Sequence, residues 1–192
     1  MGTTMRIAVF SDSHHRLTHM RQVLSLVARD VDAVIHLGDC VDDAMQMEVE
    51  FPGPTYYRVC GNGDFINKDS LERRLYLGGV TVLVTHGHRY SVKSGLDRLS
   101  ALADEQGFRL CLFGHTHESA IARTPGGLYL MNPGSISLPR AASYPTYGIV
   151  TLGNGTMDLA VVGKKALNVN VNAGGTWRPI MTEAVPLPDT QS

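Results

Sequence analysis

Apolar residues along the chain fall into short runs that each end in a polar cluster, the pattern of buried strands feeding loops. Five such runs, rich in β-branched or aromatic residues, are Arg6-Ile7-Ala8-Val9-Phe10, Ala33-Val34-Ile35-His36-Leu37, Tyr56-Tyr57-Arg58-Val59-Cys60, Val80-Thr81-Val82-Leu83-Val84 and Arg109-Leu110-Cys111-Leu112-Phe113. Between the first two, Leu17, Met20, Val23, Leu24 and Val27 recur at helical spacing, and residues 93–106 carry a comparable stripe through Leu96, Leu99, Leu102 and Ala103. Residues 75–84 predict a hairpin that turns at Gly78-Gly79. Past residue 118 the helical stripe disappears, and residues 120–123, 128–131, 148–152 and 157–162 read as strands separated by Gly, Pro and Asn turns. An α/β chain that closes in mixed strands predicts two sheets packed face to face around one core, with helices outside. Residues 1–163 are expected to form this single domain. Residues 164–192 hold Asn-rich alternation, Gly174-Gly175 and three prolines, and predict a C-terminal extension made of a peripheral strand, a loose tail or both.

The length of 192 residues fits one domain, and 43% hydrophobic with 18% charged residues excludes a disordered chain. Lys and Arg number 17 against 18 Asp and Glu, with no run of like charge, so no extended nucleic-acid-tracking surface is expected. The apolar runs are too short to span a bilayer, the N-terminus carries no export signal, and Arg6 stands where acylation would want Ser or Thr. A soluble cytoplasmic protein without membrane attachment is the expectation. Cys40, Cys60 and Cys111 are too dispersed for a disulfide framework or a zinc clip and are expected as reduced, packed thiols.

Chemistry enters at the ends of the five runs. They are followed by Asp12-Ser13-His14, Gly38-Asp39, Gly61-Asn62-Gly63-Asp64, His86-Gly87-His88 and Gly114-His115-Thr116-His117. The ends of parallel strands line one crevice, so distant segments can deliver Asp12, His14, Asp39, Asn62, His86, His115 and His117 to one place. Carboxylate and amide oxygens mixed with imidazoles suit Mn, Fe, Zn or Co. Seven donors exceed what one ion with an open position needs, so two ions sharing Asp39 fit better.

Taken together these motifs resemble the calcineurin-like metallophosphoesterases, whose signature runs D-x-H, G-D, G-N, H-G-H and G-H-x-H. The resemblance spans residues 6 to about 152, and Asn132-Pro133-Gly134-Ser135 is similar to a segment of the small bacterial and archaeal phosphodiesterase branch. It implies a four-layer α-β-β-α sandwich of two mixed sheets and a dinuclear centre. Carried over by position, Asp12, His14, Asp39 and His117 would hold the first ion and Asp39, Asn62, His86 and His115 the second. Mn²⁺ is expected, with Zn²⁺, Fe²⁺, Ni²⁺ or Co²⁺ as alternatives. The implied reaction is hydrolysis of a small phosphodiester or nucleotide by hydroxide bridging the two ions, with Asp39 and Asn62 among the residues closest to the reaction. Similar proteins commonly form homo-oligomers.

Many relatives carry a His directly after the G-N Asn, where this chain has Gly63. His15 or His88 is the candidate replacement as proton donor to the leaving group; each is equally readable as a surface or ligand-supporting imidazole. Asp64 reads either as an acceptor that orients a ligand imidazole, the reading favoured from sequence, or as a turn residue or helix cap. His36 reads as a packing residue and His19 as a surface group. Lys93 and Arg140 carry no signal separating phosphate contacts from solvated charges. Short loops between motifs predict an open site with weak selectivity among leaving groups. The competing class is a protein-interaction scaffold of the same fold, as in the small subunit of retromer, against which the complete donor set argues. A DNA-processing nuclease would want more length and positive charge.

Overall fold

The computed structural model describes residues 4–65, 69–165 and 176–187. The first βαβ unit runs from β1 (Met5–Phe10) through α1 (Thr18–Val27) to β2 (Ala33–His36), with Ile7 paired to Ala33 and Phe10 to His36 in parallel register. Helix α2 (Val41–Glu50) then leads to β3 (Thr55–Arg58), again parallel to β2. The hairpin of β4 (Glu72–Leu77) and β5 (Val80–Thr85) closes at Gly78 and Gly79, both at positive φ. Helix α3 (Asp97–Glu105) and β6 (Leu110–Leu112) follow, and then come β7 (Ser119–Arg123), β8 (Tyr129–Pro133), β9 (Thr146–Gly153), β10 (Thr156–Lys165) and β11 (Thr176–Pro186).

Two mixed sheets result, one ordered β11-β10-β9-β1-β2-β3 and the other β4-β5-β6-β8-β7. Strand alternation explains the layers. Ile7 and Val9 of β1, Ile35 of β2, and Val80, Val82 and Val84 of β5 point between the sheets, where they join one cluster with Leu110, Leu112 and Met131. The opposite faces are covered by helices. Ala8, Phe10 and Val34 pack on Met20, Val23 and Leu24 of α1 and Met47 of α2, while Leu83, Cys111 and Leu130 pack on Leu99 and Ala103 of α3. The chain is thus the predicted α-β-β-α sandwich.

Three differences from the sequence pattern have physical causes. Helix α2 has no clean apolar stripe, because only Val41, Ala44 and Met47 are buried apolar positions among acidic residues. Its first N–H groups, on Cys40 and Val41, are instead capped from a distance by Asp64 Oδ1 at 2.9 and 2.8 Å. The third predicted strand is an edge strand with one neighbour and is partly exposed. Finally, β10 continues to Lys165, and β11 pairs with it antiparallel from Thr156↔Pro186 to Lys165↔Thr176, with a register shift between Val161 and Val162. The Gly2 position, residues 166–175 with their asparagines and Gly174-Gly175, and residues 188–192 lie outside the described residues. Cys40, Cys60 and Cys111 are all buried thiols outside any disulfide, and burial pushes the Cys40 thiol up to about 11.

Candidate metal centre

Strands β1, β2, β5 and β6 run parallel or meet across the sandwich so that their C-terminal turns converge. Asp12, His14, Asp39 and His117 bring donor atoms within 4.8 Å of one another, and so do Asp39, His86 and His115. In the first group, His117 Nε2 lies 3.2 Å from Asp12 Oδ1 and 3.3 Å from His14 Nε2, and His14 Nε2 lies 3.8 Å from Asp39 Oδ2. In the second, His86 Nε2 lies 3.4 Å from Asp39 Oδ1 and 3.2 Å from His115 Nδ1. Donors bound at about 2.1 Å to one ion are separated by roughly 3.0–3.4 Å from their neighbours. All but the His14–Asp39 separation fall in that range, and Asp39 turns one oxygen to each group.

The surroundings leave the donor atoms free. His86 Nδ1 faces the carbonyl of Leu37 and His117 Nδ1 that of Leu138, both at 2.7 Å, which puts the ring proton on Nδ1 and leaves each Nε2 lone pair facing the cluster. Asp12 is fully buried; Oδ2 accepts from Ser11 Oγ at 2.5 Å and from the His115 N–H, while Oδ1 has no hydrogen-bond partner. A buried carboxylate oxygen left bare is costly unless a cation meets it, so the donor set fits divalent ions. Burial alone would raise the Asp12 carboxyl, but the His117 and His86 imidazoles beside it and the Ser11 hydroxyl outweigh it and bring it down to about 2. Burial, with His86 and Lys93 nearby, pushes His115 down to about 4, whereas the neighbouring Asp12 carboxylate raises His117.

The remaining predicted residues sit around this cluster. Asn62 is exposed in the turn after β3, one residue before Gly63, whose N–H donates to Asp39 Oδ1 at 2.8 Å. His88 packs its ring against His86 and His115 with centroids 5.4 and 6.1 Å apart, and its Nδ1 is buried without a partner. His15 is 77% exposed, with Nδ1 3.6 Å from Asp43 Oδ1. Asp64 contacts no imidazole: besides capping α2 it accepts the Gly61 N–H, so it ties the Asp39 turn to the Asn62 turn as a cap.

Several supports were not visible as such in the sequence. His36 is wholly buried but hydrogen-bonded, which corrects its reading as a packing residue. Its Nδ1 accepts the Gly38 N–H at 3.3 Å and its Nε2 meets Ser13 Oγ at 3.1 Å, so it links the Asp12 and Asp39 turns. Ser135 Oγ donates to the Asp12 carbonyl at 2.8 Å and accepts the Leu138 N–H at 2.7 Å, and Asn132 Nδ2 donates to the Gly114 carbonyl at 3.0 Å. The Asn-Pro-Gly-Ser segment therefore braces two ligand turns. Asp43, buried on α2, accepts the His15 N–H at 2.9 Å. His19 is half-buried, edge-on to Trp177.

Residues 5–155 match the calcineurin-like phosphoesterase superfamily domain. The probable metallophosphoesterase YsnB of Bacillus subtilis is 34% identical over 151 residues, covering 78% of this chain and 86% of that protein. Phosphodiesterase MJ0936 of Methanocaldococcus jannaschii is 28% identical over 169 residues, covering 78% and 91%. The crystal structure of Chaetomium thermophilum Vps29 superposes with a TM-score of 0.77 at 17% identity, over 96% of this chain and all of that one, and so shares the fold. With the domain match spanning most of its length, and with ligand turns in the order D-x-H, G-D, G-N, H-G-H and G-H-x-H, the chain belongs to the calcineurin-like phosphoesterase superfamily.

Proposed function

We propose that the protein is a metal-dependent phosphodiesterase that hydrolyses a small phosphate ester at a dinuclear centre. The observation that carries this reading is Asp39, whose two carboxylate oxygens each face a separate donor group. In the proposal Asp12, His14, Asp39 and His117 hold one divalent ion and Asp39, Asn62, His86 and His115 the other, with Mn²⁺ as the working metal. Such a pair supplies Lewis acidity at the phosphoryl oxygens and lowers the pKa of water from about 15.7 toward neutrality. In this reading Asn62, exposed in its turn, completes its group by turning its amide inward.

The protein's own groups then divide the work. The Leu37 and Leu138 carbonyls fix the tautomers of His86 and His117, and the Gly63 N–H holds Asp39 Oδ1 in place. Gly63 and not an imidazole directly follows Asn62, so proton delivery to the leaving oxygen falls to His88 or His15. Of these, His88 stands nearer the donor groups and has a nitrogen with nothing bound to it. Its loss would matter most for poor leaving groups, with general acid help worth about 10²–10⁴ in rate. The cytoplasm is the proposed compartment, and the described residues contain no helix long and apolar enough to cross a membrane.

The test is hydrolysis of bis-p-nitrophenyl phosphate with and without added Mn²⁺, alongside elemental analysis. Two equivalents of metal per chain and activity abolished in Asp39→Asn and His115→Ala support the reading. An inert protein that takes up no metal overturns it in favour of an interaction scaffold, the second reading raised by the shared fold with Vps29.

A further inference from the structure

Next to the donor groups, the turn after His14 opens into a groove of about 470 Å³ lined by His15, Arg16, Leu17, Thr18, His19 and Ser137. It adjoins the centre on two sides, through His15, which follows a ligand directly, and through Ser137, whose Oγ donates to the Asp12 carbonyl at 2.9 Å. Its lining contains a guanidinium, two imidazoles and two hydroxyls but no carboxylate. Arg16 is exposed and has no ion-pair partner among the described residues, whereas Arg21, Arg58 and Arg73 each hold an acid. Lys164 lies near enough to His19 to bear on its charge. The nearest acid, Asp43, is buried behind His15 and engaged by its backbone N–H.

The backbone adds to the same field. Helix α1 begins at the groove with Leu17 at its cap position, no side-chain cap and no acidic residue in its first turn. Its leading N–H groups therefore face a space already lined with the Arg16 guanidinium and the Thr18 hydroxyl. A fork of guanidinium donors, a hydroxyl and free amides suits a tetrahedral oxyanion. Arg16 stands two positions after His14, a backbone span of at most about 7 Å, so an anion there would lie close to a phosphoryl group at the centre.

We infer that this groove binds a second phosphoryl group of the substrate through Arg16, so that the preferred substrate is a phosphodiester bearing a phosphate monoester about one nucleotide unit from the bond that is cut. This deepens the phosphodiesterase reading and rests on it. Selectivity of this kind needs no lid, because the groove is built into the turn between β1 and α1. It acts on the retained arm of the ester and leaves the leaving-group side open.

Two substrates that release the same p-nitrophenolate test it: the p-nitrophenyl ester of thymidine 5′-phosphate and the same ester carrying a 3′-phosphate. With Mn²⁺ present, the 3′-phosphorylated ester should have the larger kcat/KM by roughly tenfold to a hundredfold, the range of a charge-assisted contact. Arg16→Ala should bring that ratio to about one, and Arg16→Lys should keep part of it, since charge survives and the fork does not. Misfolding or metal loss affects both substrates alike and cancels in the ratio. Calorimetry on the Mn²⁺-loaded protein with thymidine 3′,5′-bisphosphate against thymidine 5′-phosphate should show the same preference and the same loss in Arg16→Ala. A wild-type ratio near one, or a ratio that survives Arg16→Ala, overturns the inference while leaving the phosphodiesterase reading intact. If neither ester is cleaved, the phosphodiesterase reading falls and the calorimetric ratio alone decides the groove.

Discussion

Gly114→Ala separates packing at the centre from its chemistry. Gly114 precedes His115 in the turn after β6, and a Cβ there would fall deep inside contact distance of Ser11 Oγ, 3.0 Å from Asp12 Oδ2 and 3.1 Å from Ser11 Cβ. Ser11 and Asp12 are both fully buried at the end of β1, so neither can step aside. Turning the Ser11 hydroxyl away sacrifices its 2.5 Å bond to Asp12, a loss of about 1.5–3 kcal/mol for a bond to a charged group. Overpacking adds about 1–3 kcal/mol. A combined cost of about 2.5–6 kcal/mol at roughly 2–4 °C per kcal/mol predicts a melting point lower by about 5–24 °C. The control is Gly53→Ala, whose Cβ would meet only the Ala28 carbonyl, at 3.8 Å, and which should change stability by no more than about 1 kcal/mol. Thermal melts of chelator-treated protein give the comparison without metal binding entering. A Gly114→Ala protein that melts within about 2 °C of wild type would show that the wall formed by Ser11 and Asp12 yields, and the steric reasoning would fail.

Ser135→Ala leaves the Asp12 carbonyl and the Leu138 N–H short of a partner, and Leu138 is the residue whose carbonyl orients His117; metal affinity by titration calorimetry should fall about 10–100-fold. Burial pushes His36 down from 6.5 to about 4, so between those values the unfolded chain takes up a proton that the folded one refuses, and stability falls as pH drops through this window. At about 1.36 kcal/mol per unit, His36 should contribute some 2–3 kcal/mol of acid sensitivity between pH 7 and 4.5, read as the difference from His36→Leu in urea denaturation of chelated protein. His15 stands at φ +59° without being one of the proposed metal ligands, and its imidazole is mostly exposed; His15→Gly should therefore stabilise the chelated protein by about 0.5–1 kcal/mol, and a less stable variant would contradict the strain argued below.

What the sequence discloses here is what is local. Strand period and polar strand ends are written within a few residues of each other, so β1, β2, β5 and β6 and the ligand types at their ends could be read directly. Helix α2 could not, because its cap is Asp64, far along the chain, and its apolar face is only three residues wide. His36 alternates with Val34 and looks like packing until the register of β1 on β2 brings Ser13 onto its Nε2, the other nitrogen taking the Gly38 N–H two residues on. The Asn-Pro-Gly-Ser segment was visible as a motif, but its function depends on where β8 ends relative to Asp12 and Gly114. In each case the missing information is a tertiary hydrogen bond, which no periodicity encodes.

Backbone strain bears on whether the centre works or is merely inherited. Among the described residues nine other than glycine have positive φ, and Asp12, His14, His15, Asp39, Cys40, His115 and His117 are seven of them. Such conformations cost roughly 1 kcal/mol or more each and persist only where surroundings over-determine them. Here the over-determination is visible, since Ser135, Asn132, Asp64, Asp43 and His36 all spend hydrogen bonds on holding these turns. The turns in exchange point five donor side chains at two small volumes and leave Asp12 Oδ1 bare. A protein used only as a docking surface gains nothing from this arrangement, because relaxing any one turn would return stability without altering its outer faces. On the proposed reading, cations in the two donor groups would account for the strain, the bare Asp12 oxygen and the converging nitrogens together.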